Sequence, residues 1–514
     1  MSQPEKRLDF TGDNAVLIYI SIFKFLLLVL FAGNYGLFRD EFYYLECSKH
    51  LDWGYVDQPP FSILVLAVSR ILFGESILGI RIFAYAASCG IIFVTGLIAR
   101  EMSGNKFAQS VSAFAAVFCG TILGAGSIFS MNSFDILFSS LIFFLLIRLI
   151  KSENKKLWIP LGIIFGIGLQ NKLSPVFIAF GLAVGMALTK HRKYFLSKEL
   201  YIGAAIAFLI FLPNIIWQIA NSFPTIEFMR NAASRKNQPL GVIGFLSGSI
   251  MELNPFFIFF LLTAIYFLVF NKTGRQFALI AWTLILIFFV FVFFNGKPYY
   301  MGILFPVIIA AGVVGAEILI DKYINSWGRY ALIILILIPA AVSVTPFAIP
   351  VLNVEAFIGF SGSLGVKPGS GERQHLGILP QFYADRFGWK EMVEEVAAAY
   401  NKLSEDEKKN VVIFAQNYGE AGAIDYYGKQ YGLPKAYSAH NNYWFWGPPQ
   451  NFNGEAAIVV GSNKQDNSKF FEQVELSGTL ENKYAMPYEN VGIFICRKAK
   501  ISLQQGWAKL KIFI

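Results

Sequence analysis

The sequence predicts a polytopic α-helical membrane protein with a small C-terminal α/β domain. Hydrophobic residues make up 55% of the 514 residues and charged residues only 15%, whereas a soluble globular protein carries about 25% charged residues. Apolar runs of membrane length recur through the first part of the chain, and the composition changes beyond residue 351. We therefore predict a membrane-embedded domain at 1–350 and a C-terminal domain at 351–514.

Eleven apolar runs before the composition change are each long enough to be interpreted as a membrane helix. They cover 15–32, 77–99, 107–126, 134–150, 158–169, 174–189, 200–217, 243–270, 277–294, 299–320 and 330–350. Residues 61–74 are also apolar but short, and Arg70 near their end favours a helix that lies along the membrane interface. Residues 158–189 are too many for one helix, and Lys172 with Pro175 marks the break between two.

Lysine and arginine predict the orientation of these helices. They are dense in one set of loops, namely 100–106, 148–156, 190–198, 271–275 and 321–329, and sparse in the loops that alternate with them. By the positive-inside rule the first set is cytoplasmic, which also explains the net charge of +9 without a nucleic-acid partner. The predicted location is the inner (cytoplasmic) membrane, with the segment after the first helix and the C-terminal domain on the extracytoplasmic side.

The C-terminal part has the alternating pattern of a small α/β domain. Residues 391–409 are predicted to form one amphipathic helix, and three short buried strands are predicted at 411–415, 456–461 and 491–497. The glycines of NYGEAGAIDYYG at 417–428 follow the first of these strands. They suit either a phosphate-binding turn or close helix packing, and helix packing is the simpler interpretation.

Asp40 and Glu41 stand side by side just after the first apolar run. Two carboxylates at the mouth of a membrane helix are costly near lipid unless they have a use. Aromatic side chains, which stack on sugar rings and lie at membrane interfaces, surround the pair in sequence. They are Tyr43, Tyr44, Trp53 and Tyr55. This combination predicts chemistry at the membrane surface.

Several segments together resemble bacterial members of glycosyltransferase family 39, the relatives of protein O-mannosyltransferases and of the lipid A aminoarabinose transferase. They are the loop RDEFYYLECSKHLDWGYVDQPPF at 39–61, MNSFD at 131–135, FLPNIIWQ at 211–218, PTIEFMRNA at 224–232 and GKPYY at 296–300. The resemblance implies the membrane-embedded GT-C fold, a polyprenyl-phosphate sugar as donor, and transfer outside the cytoplasmic membrane. It extends over most of 1–350, and the C-terminal part resembles an outward domain of some members.

The resemblance assigns Asp40 as the general base that takes the proton of an acceptor hydroxyl. Glu41 is then a second acid of the site, which orients the loop or pairs with a basic neighbour. The two carboxylates alternatively hold a divalent cation, or form a solvated turn without catalytic duty. Asp135, at the outward end of the fourth helix, is the third acidic candidate; its alternative is a carboxylate favoured by the helix dipole.

Binding of the donor phosphate requires cations on the outward side, where few are present. The outward basic residues are Arg39, Lys172, Arg230, Arg235, Lys236 and Lys297. Lys297 is the strongest candidate because it lies in a very short turn beside Tyr299 and Tyr300, and Arg230 comes next. The alternative for each is contact with anionic lipid headgroups.

One position departs from the family pattern. Where the aminoarabinose transferase has a lysine that is thought to engage the donor phosphate, this chain has Gln58. A neutral amide donates hydrogen bonds but does not neutralise charge, so the phosphate site must be built differently. The neighbouring Asp57 is a candidate for binding the acceptor or the sugar.

Three other functions of polytopic proteins fit this sequence less well than glycosyl transfer. A secondary transporter commonly shows repeated halves and acidic groups near the midplane, neither of which is evident. A lipid-linked glycan ligase also works on polyprenyl-linked sugars but lacks an acidic pair after the first helix, and a non-catalytic polyprenyl-lipid-binding protein is the remaining alternative. The expected partners are the lipid bilayer, the polyprenyl-phosphate sugar and a lipid, glycan or protein acceptor, with no certain cofactor beyond the optional divalent metal.

Overall fold

The computed structural model describes residues 12, 14–450 and 452–514, and α-helices dominate its first part. These helices are α1 (Ala15–Leu30), α2 (Arg39–Lys49), α3 (Phe61–Phe73), α4 (Ile77–Glu101), α5 (Lys106–Val117), α6 (Gly120–Gly126), α7 (Met131–Ser152), α8 (Trp158–Leu169), α9 (Ser174–Leu188), α10 (Lys198–Ala220), α11 (Pro224–Asn231), α12 (Gly241–Leu253), α13 (Ile258–Ile265), α14 (Ala278–Phe293), α15 (Phe305–Tyr323), α16 (Ser326–Ala348) and α17 (Val354–Ser363). Each predicted apolar run overlaps at least one of them.

The predicted number of membrane crossings is not confirmed. Among the described residues, five helices are long and apolar enough to cross a membrane, or up to eight if each of three bent pairs is one span. Helix α8 shows the difficulty, because its 12 residues extend only about 18 Å against a hydrocarbon core of about 30 Å. Eleven crossings therefore remain a prediction.

Two of the bent pairs lie against each other and share a polar contact. The α5–α6 pair bends by 60° and the pair around Asn254 by 102°. The freed carbonyls at the first bend are satisfied by side chains: Lys24 Nζ donates to Val117 O at 3.4 Å and Asn254 Nδ2 to Phe118 O at 2.9 Å. These bonds explain why a lysine is buried in the apolar helix α1, since a helix end buried in apolar surroundings needs partners for its carbonyls.

Close helix contacts depend on glycines in the way membrane helices commonly pack. A Cβ atom on Gly162 of α8 would lie 2.1 Å from the carbonyl oxygen of Gly203 in α10. A Cβ atom on Gly203 would in turn lie 2.2 Å from the carbonyl oxygen of Trp158. The small residues therefore let the two helix backbones touch.

The C-terminal part contains a five-stranded sheet. Its strands are β1 (Val412–Ala415), β2 (Ala436–Tyr437), β3 (Ala456–Val460), β4 (Phe471–Thr479) and β5 (Gly492–Ala499), in the order β2-β1-β3-β5-β4. Strand β1 is parallel to β2 and β3, while β5 is antiparallel to β3 and β4. Each of the three predicted strands coincides with β1, β3 or β5, and the domain boundary at residue 351 remains a prediction.

Short helices accompany the sheet, and one prediction about them is wrong. They are α18 (Gln381–Ala384), α19 (Trp389–Asn401), α20 (Glu405–Asn410), α21 (Tyr418–Tyr427), α22 (Asn442–Phe445), α23 (Lys464–Asn467) and α24 (Leu503–Leu510). The single helix predicted at 391–409 is two helices, because Ser404 caps a new start: its hydroxyl accepts from Glu407 N while Glu407 accepts from Ser404 N.

The sheet packs onto the helical part through α21 and α2, which places the C-terminal residues beside the acidic pair. A Cβ atom on Gly422 of α21 would lie 2.8 Å from the backbone of Phe42 in α2. One apolar cluster contains Phe42 of α2 together with Ile413 and Ile458 of the sheet. Gly422 therefore serves helix packing, in line with the simpler interpretation of residues 417–428.

Candidate active site

Asp40 lies in the first turn of α2, so the predicted loop is a helix at this point. Negative side chains are favoured there by the helix dipole. The Asp40 side chain is 29% exposed, and its Oδ1 accepts hydrogen bonds from the Tyr418 hydroxyl at 2.9 Å and from Arg39 Nε at 3.4 Å. The carboxylate is thus held by two donors while part of it stays accessible.

Arg39 links Asp40 to the C-terminal part of the chain. Its Nη1 lies 3.7 Å from Asp385 Oδ1 and also donates to the hydroxyl of Tyr488. Burial raises the pKa of Asp385 to about 6, against the opposite effect of Arg39. Arg39 therefore connects Asp40 to Asp385 and Tyr488, two residues of the C-terminal part.

Glu41 has the opposite environment, with no exposed side-chain surface. Arg81 donates from Nε to Oε1 at 2.7 Å and from Nη2 to Oε2 at 2.6 Å. The backbone N–H groups of Phe129 and Phe38 donate to the same two oxygens at 2.7 and 2.8 Å. This bidentate, fully bonded geometry favours the interpretation that Glu41 pairs with a basic neighbour and orients α2, over a direct part in chemistry.

Tyr43 and Tyr44 lie buried next to Asp40, and Tyr43 holds Asp57. The Tyr43 hydroxyl lies 2.9 Å from Asp57 Oδ1 and 3.1 Å from Asn442 Oδ1. Burial raises the pKa of Asp57 to about 6, and the charge of Asp40 acts in the same direction. Asp57 is therefore close enough to Asp40 for the two charges to influence each other.

Asp135, the third acidic candidate, forms an ion pair with Lys172. Its Oδ2 lies 3.5 Å from Lys172 Nζ, and Ser174 donates to its other oxygen. Lys172 Nζ in turn lies 5.2 Å from the ring centre of Tyr300 and 5.9 Å from that of Tyr299, within reach of cation–π attraction. The structure thus joins residues that are distant in sequence.

Lys297 lies on the same side of the site, but it is already paired. Its Nζ is 2.7 Å from Glu372 Oε1, and Lys236 Nζ is 3.5 Å from the same oxygen. The ring of Tyr299, two residues further along the chain, packs against that of Tyr300 with 4.8 Å between the ring centres.

Two predicted residues lie apart from this group. Gln58 is buried; its Oε1 accepts from Ser62 Oγ at 3.2 Å, while its amide nitrogen has no hydrogen-bond partner among the described residues. Arg230 is exposed on α11, which is tied to the end of the chain by a bond from Asn231 Nδ2 to Phe513 O at 2.8 Å. The structure gives neither residue a contact with Asp40.

The acidic pair does not fit a divalent cation. Such ions take several oxygen ligands, but both oxygens of Glu41 are committed to Arg81 and two backbone amides. Across the described residues, no group of three or more His, Cys, Asp or Glu side chains is arranged to hold a metal ion.

Sequence reasoning missed the C-terminal contribution to the site. Glu372, Asp385, Tyr418 and Tyr488 all contact predicted residues, yet none follows a motif that identifies it. Arg81 was also missed, although an arginine inside an apolar run is itself a signal of function or pairing. The Asp40 carboxylate thus stays accessible beside the Arg39 guanidinium, an arrangement that suits removal of a proton from a hydroxyl.

Known proteins resemble this chain in sequence and in fold. Residues 57–217 match the family model described as dolichyl-phosphate-mannose-protein mannosyltransferase. The lipid A galacturonosyltransferase RgtD of Rhizobium johnstonii is 20% identical over 249 residues, which are 48% of this chain and 52% of the relative. This match therefore spans about half the length of the curated relative.

Solved structures match over nearly the whole chain. ArnT from Cupriavidus metallidurans in the apo state aligns with a TM-score of 0.61 at 15% identity, covering 97% of this chain and 98% of ArnT. The same protein bound to undecaprenyl phosphate aligns with a TM-score of 0.60 at 15% identity, covering 98% and 100%. At this identity the likeness concerns the fold. The family-model match agrees with the resemblance to the relatives of protein O-mannosyltransferases, and the structural matches show that the chain has the GT-C fold.

Proposed function

We propose that the protein transfers a sugar from a polyprenyl phosphate to an acceptor hydroxyl on the extracytoplasmic side of the membrane. The observation that carries this proposal is the partly exposed carboxylate of Asp40, held by Tyr418 and Arg39 in the fold of ArnT. In one of its crystal structures ArnT is bound to undecaprenyl phosphate. The orientation of the site rests on the distribution of basic residues between loops.

The reaction requires one proton transfer and one bond exchange. The acceptor oxygen forms a bond to the anomeric carbon of the sugar while the bond from that carbon to the phosphate oxygen breaks. The electron pair of the broken bond leaves with the polyprenyl phosphate, and Asp40 takes the acceptor proton. A positioned base of this kind contributes about 10²–10⁴-fold to the rate.

The neighbouring residues have distinct proposed roles. Lys297 and Lys172 attract the donor phosphate, and the rings of Tyr299 and Tyr300 pack against Lys172. Asp135 holds Lys172 in place. Asp57, fixed by Tyr43, is the proposed partner for a sugar or acceptor hydroxyl, because a carboxylate accepts such hydrogen bonds readily.

The first test is transfer by the full chain in detergent with a panel of undecaprenyl-phosphate sugars. We expect release of undecaprenyl phosphate from one donor, and a loss of about 10²–10⁴-fold in the Asp40→Asn variant. Asn retains an acceptor for Tyr418, so the variant is expected to fold. Asp406→Asn, on the exposed helix α20, is a matched control that removes the same charge far from the site.

The outcomes separate the alternatives. An Asp40→Asn protein that melts like the wild type and retains full transfer activity would contradict the base assignment. A wild-type protein that binds undecaprenyl phosphate but consumes no donor in the presence of lipid, glycan and protein acceptors would favour a non-catalytic binding protein. Transfer of a whole lipid-linked glycan, rather than one sugar, would favour a glycan ligase.

A further inference from the structure

Two lysines converge on one carboxylate oxygen at the edge of the candidate site. Lys297 Nζ lies 2.7 Å and Lys236 Nζ 3.5 Å from Oε1 of Glu372. The second oxygen of Glu372 accepts a hydrogen bond from Gln381 Nε2 at 3.1 Å. All three charged side chains are mostly buried, with 7% of the Glu372 side chain exposed. A carboxylate held in this way occupies a position that suits an anion.

Glu372 belongs to an irregular connection that we call the strap, residues 364–380 between α17 and α18. The strap is fastened beside Lys236 by two backbone bonds and two side-chain bonds. Arg373 N donates to Lys236 O at 2.9 Å, and Gln238 N donates to Gly371 O at 3.3 Å. Arg373 Nε donates to Asn237 O at 3.0 Å, and Gln238 Nε2 donates to Glu372 O at 3.0 Å. Because the strap lacks the regular bonding of a helix or sheet, opening it breaks these local bonds without unravelling either kind of element.

The charges around Glu372 strongly favour an anion. Burial opposes its charged form, yet Lys236 and Lys297, with Arg39, hold the pKa of Glu372 at about 2. Burial lowers the pKa of Lys236, while Glu372 and Asp40 act in the opposite direction. Buried lysines without a counter-ion are costly, so an anion that replaces Glu372 would have to carry comparable negative charge.

We propose that Lys236 and Lys297 form a binding site for the phosphate of a lipid phosphate, and that Glu372 is an exchangeable internal counter-ion of that site. The proposal rests on the proposed function and goes beyond it by naming the group that the phosphate displaces. A phosphate oxygen replaces the carboxylate oxygen between the lysines, and the strap moves away with Glu372. The competition lowers the apparent affinity for lipid phosphate by the fraction of molecules in which the strap is open.

Binding of undecaprenyl phosphate in detergent tests the exchange without requiring transfer. The Glu372→Gln variant keeps a side chain of equal size but removes the competing charge, so we expect its affinity to rise about tenfold, equivalent to about 1.4 kcal/mol. The double variant Lys236→Ala/Lys297→Ala should lose most of the binding. Glu481→Gln, at an exposed position, is the charge-matched control, and undecaprenol, which lacks the phosphate, should bind the wild type and Glu372→Gln equally.

A second measurement uses only the wild type, so it tests the proposal even if a variant fails to fold. Hydrogen exchange of peptides from residues 364–380 should accelerate when undecaprenyl phosphate binds, because the bond from Arg373 N to Lys236 O opens. Unchanged or slower exchange with bound lipid phosphate, or an affinity of Glu372→Gln equal to or below the wild type, would overturn the proposal.

This test also separates the two proposals. Active transfer with no gain of affinity in Glu372→Gln would overturn the counter-ion exchange alone. The expected gain in a protein that transfers no sugar would support the anion site while contradicting the glycosyltransferase activity.

Discussion

The neighbouring carboxylates of Asp40 and Glu41 lie on two sides of α2 and differ in burial and in hydrogen bonding. Glu41 faces the helical core, where Arg81 and two backbone amides occupy both oxygens. Asp40 faces the C-terminal part, where it keeps 29% of its side chain exposed. Successive helix residues point about 100° apart, so one turn carries both a fixed anchor and an accessible acid. An acidic pair in sequence therefore need not be a functional pair in space.

The largest loss of stability is expected when the ion pair of Glu41 is broken. Arg81→Ala leaves Glu41 buried without its counter-ion, and removing one partner of a buried ion pair costs about 3–5 kcal/mol. It also frees the carbonyls of Ala32 and Gly36, which Arg81 contacts at 2.7 and 2.9 Å. Thermal unfolding in detergent should show a much lower melting temperature.

The matched control for Arg81→Ala is Arg148→Ala, because Arg148 pairs with Glu101 at 3.8 Å with half of its side chain exposed. Exposed pairs contribute about 0–1 kcal/mol, so this variant should melt like the wild type. Equal melting temperatures for both variants would contradict the anchor interpretation of Glu41.

Lys172 provides an intermediate case, because it joins a buried acid, Asp135, to a partly open aromatic wall. If it binds the donor phosphate, Lys172→Ala should weaken undecaprenyl phosphate binding by about 10–100-fold, the range for a charged hydrogen bond of about 1.5–3 kcal/mol. Lys172→Arg should restore part of the affinity. A melting temperature that falls while the affinity stays constant would show that Lys172 serves only to neutralise Asp135.

The helical runs could be predicted from the sequence, and Asp40 could be proposed from it, because both depend on local patterns. Apolar length identifies a helix without knowledge of its neighbours, and an acidic pair beside a membrane helix is conspicuous on its own. Glu372 and Tyr418 could not be predicted, because their contacts with Lys297 and Asp40 join segments separated by 75 and 378 residues. The eleven predicted crossings fail to be confirmed for a related reason: tertiary contacts such as those of Asn254 bend helices within single apolar runs.

The smallest expected effect is a pH dependence of stability at Asp57. This acid is half-buried, intermediate between Glu41 and Asp40, and it accepts a hydrogen bond from Tyr43. Burial raises its pKa from an ordinary value of 3.8 to about 6. Between these values the folded protein binds more protons at Asp57 than the unfolded chain, so its contribution to stability is present below about pH 4 and lost as the pH rises to about 6.

Asp57→Asn should remove this dependence, because the amide does not titrate while its oxygen still accepts from Tyr43. The measurement is the melting temperature of wild type and Asp57→Asn at several values between pH 4 and 7. The wild type should lose stability relative to the variant as the pH rises, with the change confined to the region between about pH 4 and 6. Asp52→Asn, at an exposed position nearby, should track the wild type. A constant difference between Asp57→Asn and wild type across this range would mean that Asp57 titrates as a solvated acid, and that the space beside Asp40 is more open to water than its contacts indicate.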